Sequence, residues 1–380
     1  MRVAVSVHGR YHGFDLAREL NAGGHLAGLL TTYPKFATVE HVGAVGHLAT
    51  APWLEVRRRL CQRLGGICGD VDGAIAAAFG KFSAAHLPEN CDLVVGWSSA
   101  SLEVIDAAKS QGARFVLERG STHIGHQTAV LSGLYERHGQ VFVGTSARII
   151  ERELAEYEAA DAIAVPSAFA AETFTSRGVP AEKLMINPYG VNLTKFTPPP
   201  ARNHVRPRIL FVGRVGLRKG VPDLLEAFAP LAGQAELHLV GPIEPGFQMP
   251  EAANVHVRGP VPMSQLPGEY AAADIFCLPS WEEGFALVLL QAMAMGLPVI
   301  ASAATGVGDI LTPGKDGEIV AAGDGPALTA ALADLLGDAD KRRAQGLAAR
   351  ARVADGFDWA GYGARTVASY QRLIGGGAVA

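Results

Sequence analysis

Residues 273–302 read ADIFCLPSWEEGFALVLLQAMAMGLPVIAS, an apolar run interrupted by one polar loop and one Gly-x-Pro turn. Residues 274–278 are apolar after Asp274 and bounded by Pro279, which suits a strand buried on both faces of a parallel sheet. Ser280, Trp281, Glu282, Glu283 and Gly284 then lead into a helix-forming run at 286–295, which Gly296 ends and Pro298 cannot continue. Residues 299–301 form the next strand. Residues 285–304 approach the length of a membrane span, but Gln291, Gly296, Pro298 and Ser302 divide them into a buried helix and a buried strand. A βαβ unit of this kind puts its loop at the carboxyl end of the first strand. The helix that follows offers free N–H groups and a partial positive charge, a site suited to an anion. Glu283 lies before that helix and Gln291 eight residues on, about two turns away, so they can touch different parts of one elongated ligand.

The chain has 380 residues, enough for two domains that each bury a core, and its 45 glycines fit an α/β protein with many tight strand-to-helix turns. A net charge of −4 and a pI near 6.3 give no reason to expect nucleic acid as a partner. Cys61, Cys68, Cys91 and Cys277 form no CxxC pair and no disulfide framework, which fits a reducing cytoplasm. The apolar stretch at 1–9 is too short for a secretion signal and reads as the first strand.

Strand one spans residues 2–7, and the loop 8–13 leads to a helix at 14–21. His8, His12, His123 and His126 have spacings compatible with metal binding, but no cysteine or carboxylate completes a ligand set, so no metal is expected. Trp53, Val56, Leu60, Leu64 and Ile67 recur at helical spacing with Arg57, Arg58, Arg59 and Arg63 on the other faces. This amphipathic helix is expected to present a solvated basic face, with contact to an anionic membrane as the alternative. Asp70-Val71-Asp72 precedes an alanine-rich helical run instead of ending a strand, which argues against a metal-binding DxD. Strands at 92–97 and 114–117 follow, the second delivering Glu118, Arg119, Gly120, Ser121, Thr122 and His123 to the same sheet edge. Arg119 and His123 are the candidates for binding an acceptor or positioning a leaving group there.

Two nine-residue segments, AADAIAVPS at 159–167 and AADIFCLPS at 272–280, agree at five positions and predict two similar Rossmann-like halves that face each other. Pro198, Pro199 and Pro200 favour an extended linker between them, with the second half starting near Arg208. There a strand at 208–213 meets Arg214-Val215-Gly216-Leu217-Arg218-Lys219-Gly220, and a helix follows at 222–228. Arg214 and Lys219 supply two cations at a strand end, where they suit a diphosphate leaving group. The segment 304–309 lacks the third glycine of a dinucleotide fingerprint, so no NAD is expected.

Gly-Arg-x4-Lys-Gly at 213–220 and Glu283-Gly-Phe with x7 before Gln291 together resemble the motifs of family 4 retaining glycosyltransferases of GT-B fold. The resemblance covers most of residues 140–375, and the first 140 match mainly in the order of strand, loop and helix. It implies an acceptor domain at 1–198, a nucleotide-sugar domain at 199–357 and a crossing helix at 358–380 that packs back on the first domain. It also implies that 254–261 lies against the base, that Arg214 and Lys219 bind the diphosphate, and that Glu283, Gly284, Phe285 and Ala286 orient the donor sugar. His123 would take the place of a donor-contacting histidine. Gln291 stands where the family has a carboxylate for the ribose. The implied reaction moves a sugar to a glycan, lipid-linked or small-molecule acceptor without metal or cofactor. A non-catalytic sugar-nucleotide binder and a GT-B nucleotide-sugar 2-epimerase are the rival readings.

Overall fold

The computed structural model describes residues 1–63, 70–200 and 205–377. Among these, thirteen strands sort into two parallel sheets. The first contains β1 (Val3–Val7), β2 (Leu26–Thr31), β3 (Leu48–Thr50), β4 (Leu93–Trp97), β5 (Arg114–Glu118), β6 (Ala162–Val165) and β7 (Leu184–Ile186). Their order is β3-β2-β1-β4-β5-β6-β7. The second contains β8 (Arg208–Val212), β9 (Glu236–Val240), β10 (Val255–Gly259), β11 (Ile275–Leu278), β12 (Val299–Ser302) and β13 (Gly317–Val320), in the order β10-β9-β8-β11-β12-β13. The central strands β1, β4, β6, β11 and β12 are buried along their whole length, as continuous apolar runs require when helices cover both faces.

The internal repeat has a structural cause. Asp161 accepts a hydrogen bond from the Phe115 N–H at 2.8 Å while its own N–H donates to the Phe115 carbonyl at 3.0 Å, tying β6 to β5. Asp274 does the same with Arg208, both bonds at 2.8 Å, where β11 starts beside β8. Asp92 repeats the device with Arg2 beside β1. An aspartate just ahead of a strand thus satisfies a neighbouring backbone donor and sets the strand register.

The last helix, Trp359–Ile374, is capped by Asp358, which accepts from the Gly361 N–H at 2.7 Å. It packs on the helix Gly13–Ala22 and is tied to the segment after β7. There Asn187 donates to the Thr366 hydroxyl at 2.7 Å and Arg365 to the Pro188 carbonyl at 2.8 Å.

The basic amphipathic helix differs from expectation. It spans Pro52–Arg63 and packs through Leu54 into a small core with Ile75, Ala76 and Phe79. Trp53, Val56 and Leu60, expected on the covered face, are 54%, 57% and 54% exposed. Among the helix's described side chains, Leu54 is the one buried in that core. Leu64, Ile67 and Cys68 lie outside the described residues. Asp70 caps the helix Val71–Ala85 by accepting from the Gly73 N–H at 3.1 Å, which accounts for Asp70-Val71-Asp72 without a metal. No helix among the described residues is long and apolar enough to cross a membrane.

Candidate active site

The loops after β8 and β11 meet at the carboxyl edge of the second sheet. Gly220 makes this possible: its φ is +66°, and a Cβ there would lie 2.0 Å from the Pro279 carbonyl oxygen, so the loop after β8 turns directly over the end of β11. Two hydrogen bonds then pin the loops together, from the Trp281 N–H to the Arg218 carbonyl at 2.9 Å and from the Trp281 indole to Asp223 at 2.7 Å. The side chains follow suit. Lys219 Nζ donates to Glu283 Oε1, Arg218 lies 2.9 Å from Glu282 Oε2 and 3.8 Å from Glu283 Oε2, and Arg214 is exposed. Within the two loops three cations face two carboxylates, with Asp223 on the Trp281 indole and Glu244 on the Leu217 N–H at 3.2 Å beside them, and Arg214 is exposed to solvent. A phosphate group entering here meets a cation at Arg214 and a second one, Lys219, held by a carboxylate it can exchange.

Facing this edge is the loop after β5 of the first domain. Glu282, fully buried, takes hydrogen bonds from Ser121 Oγ at 2.8 Å and Thr122 Oγ1 at 2.6 Å on one oxygen, and from Gln127 Nε2 at 3.1 Å on the other. Burial pushes its pKa up, but Arg218 and the three first-domain donors outweigh that and hold the carboxyl below the ordinary carboxylate range. Beside it the backbones touch. A Cβ on Gly284 would lie 2.4 Å from Ser121 Cα and 2.5 Å from the Gly120 carbonyl oxygen, so only glycine fits. Further contacts bridge the domains, from Ser167 Oγ to the Gly284 carbonyl at 2.6 Å, from the Ala168 N–H to Asp309 at 2.7 Å, and from the Tyr135 hydroxyl to Glu244. Next to the diphosphate-type loop, His138 and Gln140 of the first domain and Leu217, Leu225, Phe247 and Gln248 of the second line a pocket of about 490 Å³.

The other expected residues lie as follows. The helix of this unit is Leu287–Ala294, and two N–H groups at its entry are engaged: Glu283 donates to the Ala304 carbonyl at 2.9 Å and Ala286 to the Thr305 carbonyl at 3.3 Å. The expectation of free N–H groups after Glu283 is therefore corrected at Ala286, because the loop after β12 folds over it. Phe285 is buried edge-on against Tyr189, with ring centroids 5.7 Å apart, so its side chain packs the domain junction. Gln291 is half-buried, and its Oε1 accepts from the Tyr270 hydroxyl at 2.9 Å.

His123 caps the helix Ile124–Arg137, its Nδ1 accepting from the Gly125 N–H at 3.0 Å and its ring packed between Tyr157 and Phe174. Burial, helped by Arg177 and Arg119, lowers its pKa to about 4. The ring is thereby committed to a cap and to packing contacts within the first domain, instead of to Lys219 and Glu283 of the second. Arg119 is likewise internal. It pairs with buried Glu153 at 3.3 Å and donates to Gln127 at 3.0 Å, so it holds the residue that in turn reaches Glu282. Neither was distinguishable in the sequence from a ligand-facing residue, since both lie on a strand-end loop. Glu282 was quoted there without a role, and its adjacency to Glu283 was the available signal.

Regarding metals, His8 packs on Phe79, His12 bonds to Glu118 at 3.1 Å, and neither joins His123 in a ligand set. Glu236, His238 and His256 do cluster on β9 and β10. However, the Glu236 oxygen nearest His238 is also held by Arg208 at 3.2 Å, and Glu236 opens β9, at the strand end opposite the donor loops.

Residues 206–338 match the family model described as glycosyl transferases group 1. The chain is 33% identical over 223 residues to MMP alpha-(1->4)-mannosyltransferase of Mycolicibacterium hassiacum, covering 56% of this chain and 54% of that one. It is 32% identical over 233 residues to GDP-mannose-dependent alpha-(1-6)-phosphatidylinositol monomannoside mannosyltransferase of Mycolicibacterium smegmatis, covering 54% and 61%. The match thus spans little more than half the length of these relatives. Among solved structures, sucrose-phosphate synthase from Thermosynechococcus elongatus superposes with a TM-score of 0.71 at 22% identity, over 98% of this chain and 99% of that one. Anabaena HepE in complex with UDP and glucose gives 0.68 at 15% identity, over 98% and 99%. The chain has the GT-B fold, and its residues 206–338 carry the match to the glycosyl transferases group 1.

Proposed function

We propose that the chain is a retaining glycosyltransferase that moves a sugar from a nucleoside diphosphate donor to a glycan, lipid-linked or small-molecule acceptor. The observation that carries this reading is the Lys219–Glu283 pair at the carboxyl ends of β8 and β11, with exposed Arg214 on the same loop as Lys219 and the first-domain loop after β5 opposite. As the bond between anomeric carbon and diphosphate breaks, the electron pair stays on the leaving oxygen, and Arg214 and Lys219 stabilise the charge that develops there. Donor binding exchanges Glu283 for phosphate at Lys219 and frees the carboxylate for sugar hydroxyls. The main chain at Gly284 and Phe285 orients the sugar and Gln291 hydrogen-bonds the ribose, while Ala286, its N–H engaged by Thr305, shapes the turn into the helix. Arg119 and His123 shape the acceptor-side loop from behind. Side chains neutralise the diphosphate, so the reaction invokes no metal and no cofactor.

We assign residues 1–198 to acceptor binding, 199–357 to the donor and 358–380 to the crossing segment. A non-catalytic binder and a 2-epimerase fit less well, because the relatives are named transferases. The enzyme works in the cytoplasm, where its cysteines Cys61, Cys91 and Cys277 remain free. The exposed row Trp53, Val56 and Leu60 beside exposed Arg57 and Arg59 suits peripheral contact with an anionic membrane face. Co-sedimentation with anionic but not neutral vesicles checks that contact. Incubating the purified chain with radiolabelled UDP-, GDP- and ADP-sugars tests the activity: hydrolysis or transfer from one of them is expected, and none from any would refute it.

A further inference from the structure

We infer that Glu282 is a positioning residue through which the first domain holds the donor loop in its working geometry, an inference that rests on the proposed transferase function. Its carboxylate is fully buried yet belongs to neither domain alone. One oxygen is bonded by Ser121 and Thr122 and the other by Gln127, all from the first domain, while Arg218 of the second lies 2.9 Å away. Arg218 also donates through Nε to the Glu282 carbonyl at 3.1 Å, so the guanidinium grips both the side chain and the main chain of one residue. The neighbours of these two are the reactive groups. Lys219 follows Arg218, Glu283 follows Glu282, and these two are bonded to each other.

The pairing therefore has two rungs. The outer rung, Lys219–Glu283, is the one a donor must open. The inner rung, Arg218–Glu282, does not need to open and is fixed by three donors from the opposite domain. Separating the domains removes those three bonds and opens the carboxylate to water, so that Arg218 alone of these partners still holds the loop 280–284 and its geometry is no longer fixed from both sides. Closure of the domains and the position of Glu283 are thereby one event. Gly284, whose backbone lies against Gly120 and Ser121, admits no slack between them. Gln127 is held in turn by Arg119 at 3.0 Å, so the first-domain side of the clamp is itself braced.

The test uses Thr122→Val, which removes one donor far from the outer rung, with Glu282→Gln and the double variant. Hydrogen exchange of the segment 280–286 is measured first, without donor. Exchange at least several-fold faster in Thr122→Val than in wild type, with thermal midpoints matched, is expected; unchanged exchange overturns the inference whether or not the chain is an enzyme. Turnover of the responsive nucleotide sugar comes second. Thr122→Val is expected to lower kcat about ten-fold with donor KM changed less than two-fold, and the double variant to be no worse than Glu282→Gln alone. Fully additive losses, or a donor KM that rises while kcat holds, also overturn it. A wild-type chain that turns over no nucleotide sugar refutes the transferase reading and leaves the exchange result to decide the clamp.

Discussion

Replacing Lys219 by alanine separates a catalytic from a structural role for the outer rung. Lys219 and Glu283 keep only 19% and 12% of their side chains exposed, so the pair lines the cleft and is largely shielded from water. Removing one member of a buried pair costs about 3–5 kcal/mol where the other charge is left uncompensated, against about 0.2–1 kcal/mol at a surface. The loss is softened here because Arg218 remains 3.8 Å from Glu283. The thermal midpoint is therefore expected to fall while the variant stays folded at assay temperature. Turnover is another matter. A preorganised group aimed at developing charge accounts for about 10²–10³ in kcat, or about 2.7–4 kcal/mol. Donor affinity is expected to change less than kcat, because wild-type binding must first dissociate Lys219 from Glu283 and the alanine variant avoids that cost. The assay is release of labelled sugar under single-turnover conditions, alongside a melting curve. A folded variant that keeps kcat within a few-fold of wild type would refute the assignment of Lys219 to the leaving group.

Turnover is expected to survive EDTA, since side chains neutralise the phosphates; activity lost on chelation and restored by Mg²⁺ would require another donor site. Gln291→Glu is expected to lower the donor KM about five-fold at constant kcat, because a charge-assisted bond to the ribose gains about 1 kcal/mol and Tyr270 can donate to either side chain. An unchanged KM means that residue 291 does not meet the ribose. Gly284→Ala must displace the backbone at Gly120 and Ser121, and a shift near 1 Å at such a site costs about 10²-fold in rate; wild-type turnover in this variant would disprove the close approach. His123 gives a pH dependence. Its folded pKa is lowered from 6.5 to about 4, so between those values the unfolded chain takes up a proton that the folded chain refuses. Stability is then full above pH 6.5 and falls by up to about 3 kcal/mol as the pH drops to 4. His123→Asn, which keeps a capping side chain without the titration, should flatten that part of a denaturation series.

How much of the molecule was legible in its sequence follows from the range of the forces involved. Strands buried on both faces must be continuously apolar, so residues 274–278 and 299–301 declared themselves, as did the aspartate–strand–Pro-Ser repeat in the two halves. Cations at a strand end are also a local feature, and Arg214 and Lys219 stood out for that reason, whereas the close approach that demands glycine at 220 is to Pro279 on another loop. Sidedness was not. Helical spacing grouped Trp53, Val56 and Leu60 correctly but could not tell that Leu54 alone seats that helix, because a period says which residues share a face and not what the face meets. The same limit applied to His123 and Arg119, whose loop is at the proper sheet edge while their side chains turn inward to a helix cap and to Glu153. Glu282 shows the limit most plainly. Its partners Ser121, Thr122 and Gln127 are more than 150 residues away, and only the docking of one sheet edge against the other turns an unremarked glutamate into the carboxylate that joins the domains. The local chemistry of each loop was written in the chain; which loops meet, and with which side chains inward, was decided by packing two cores against each other.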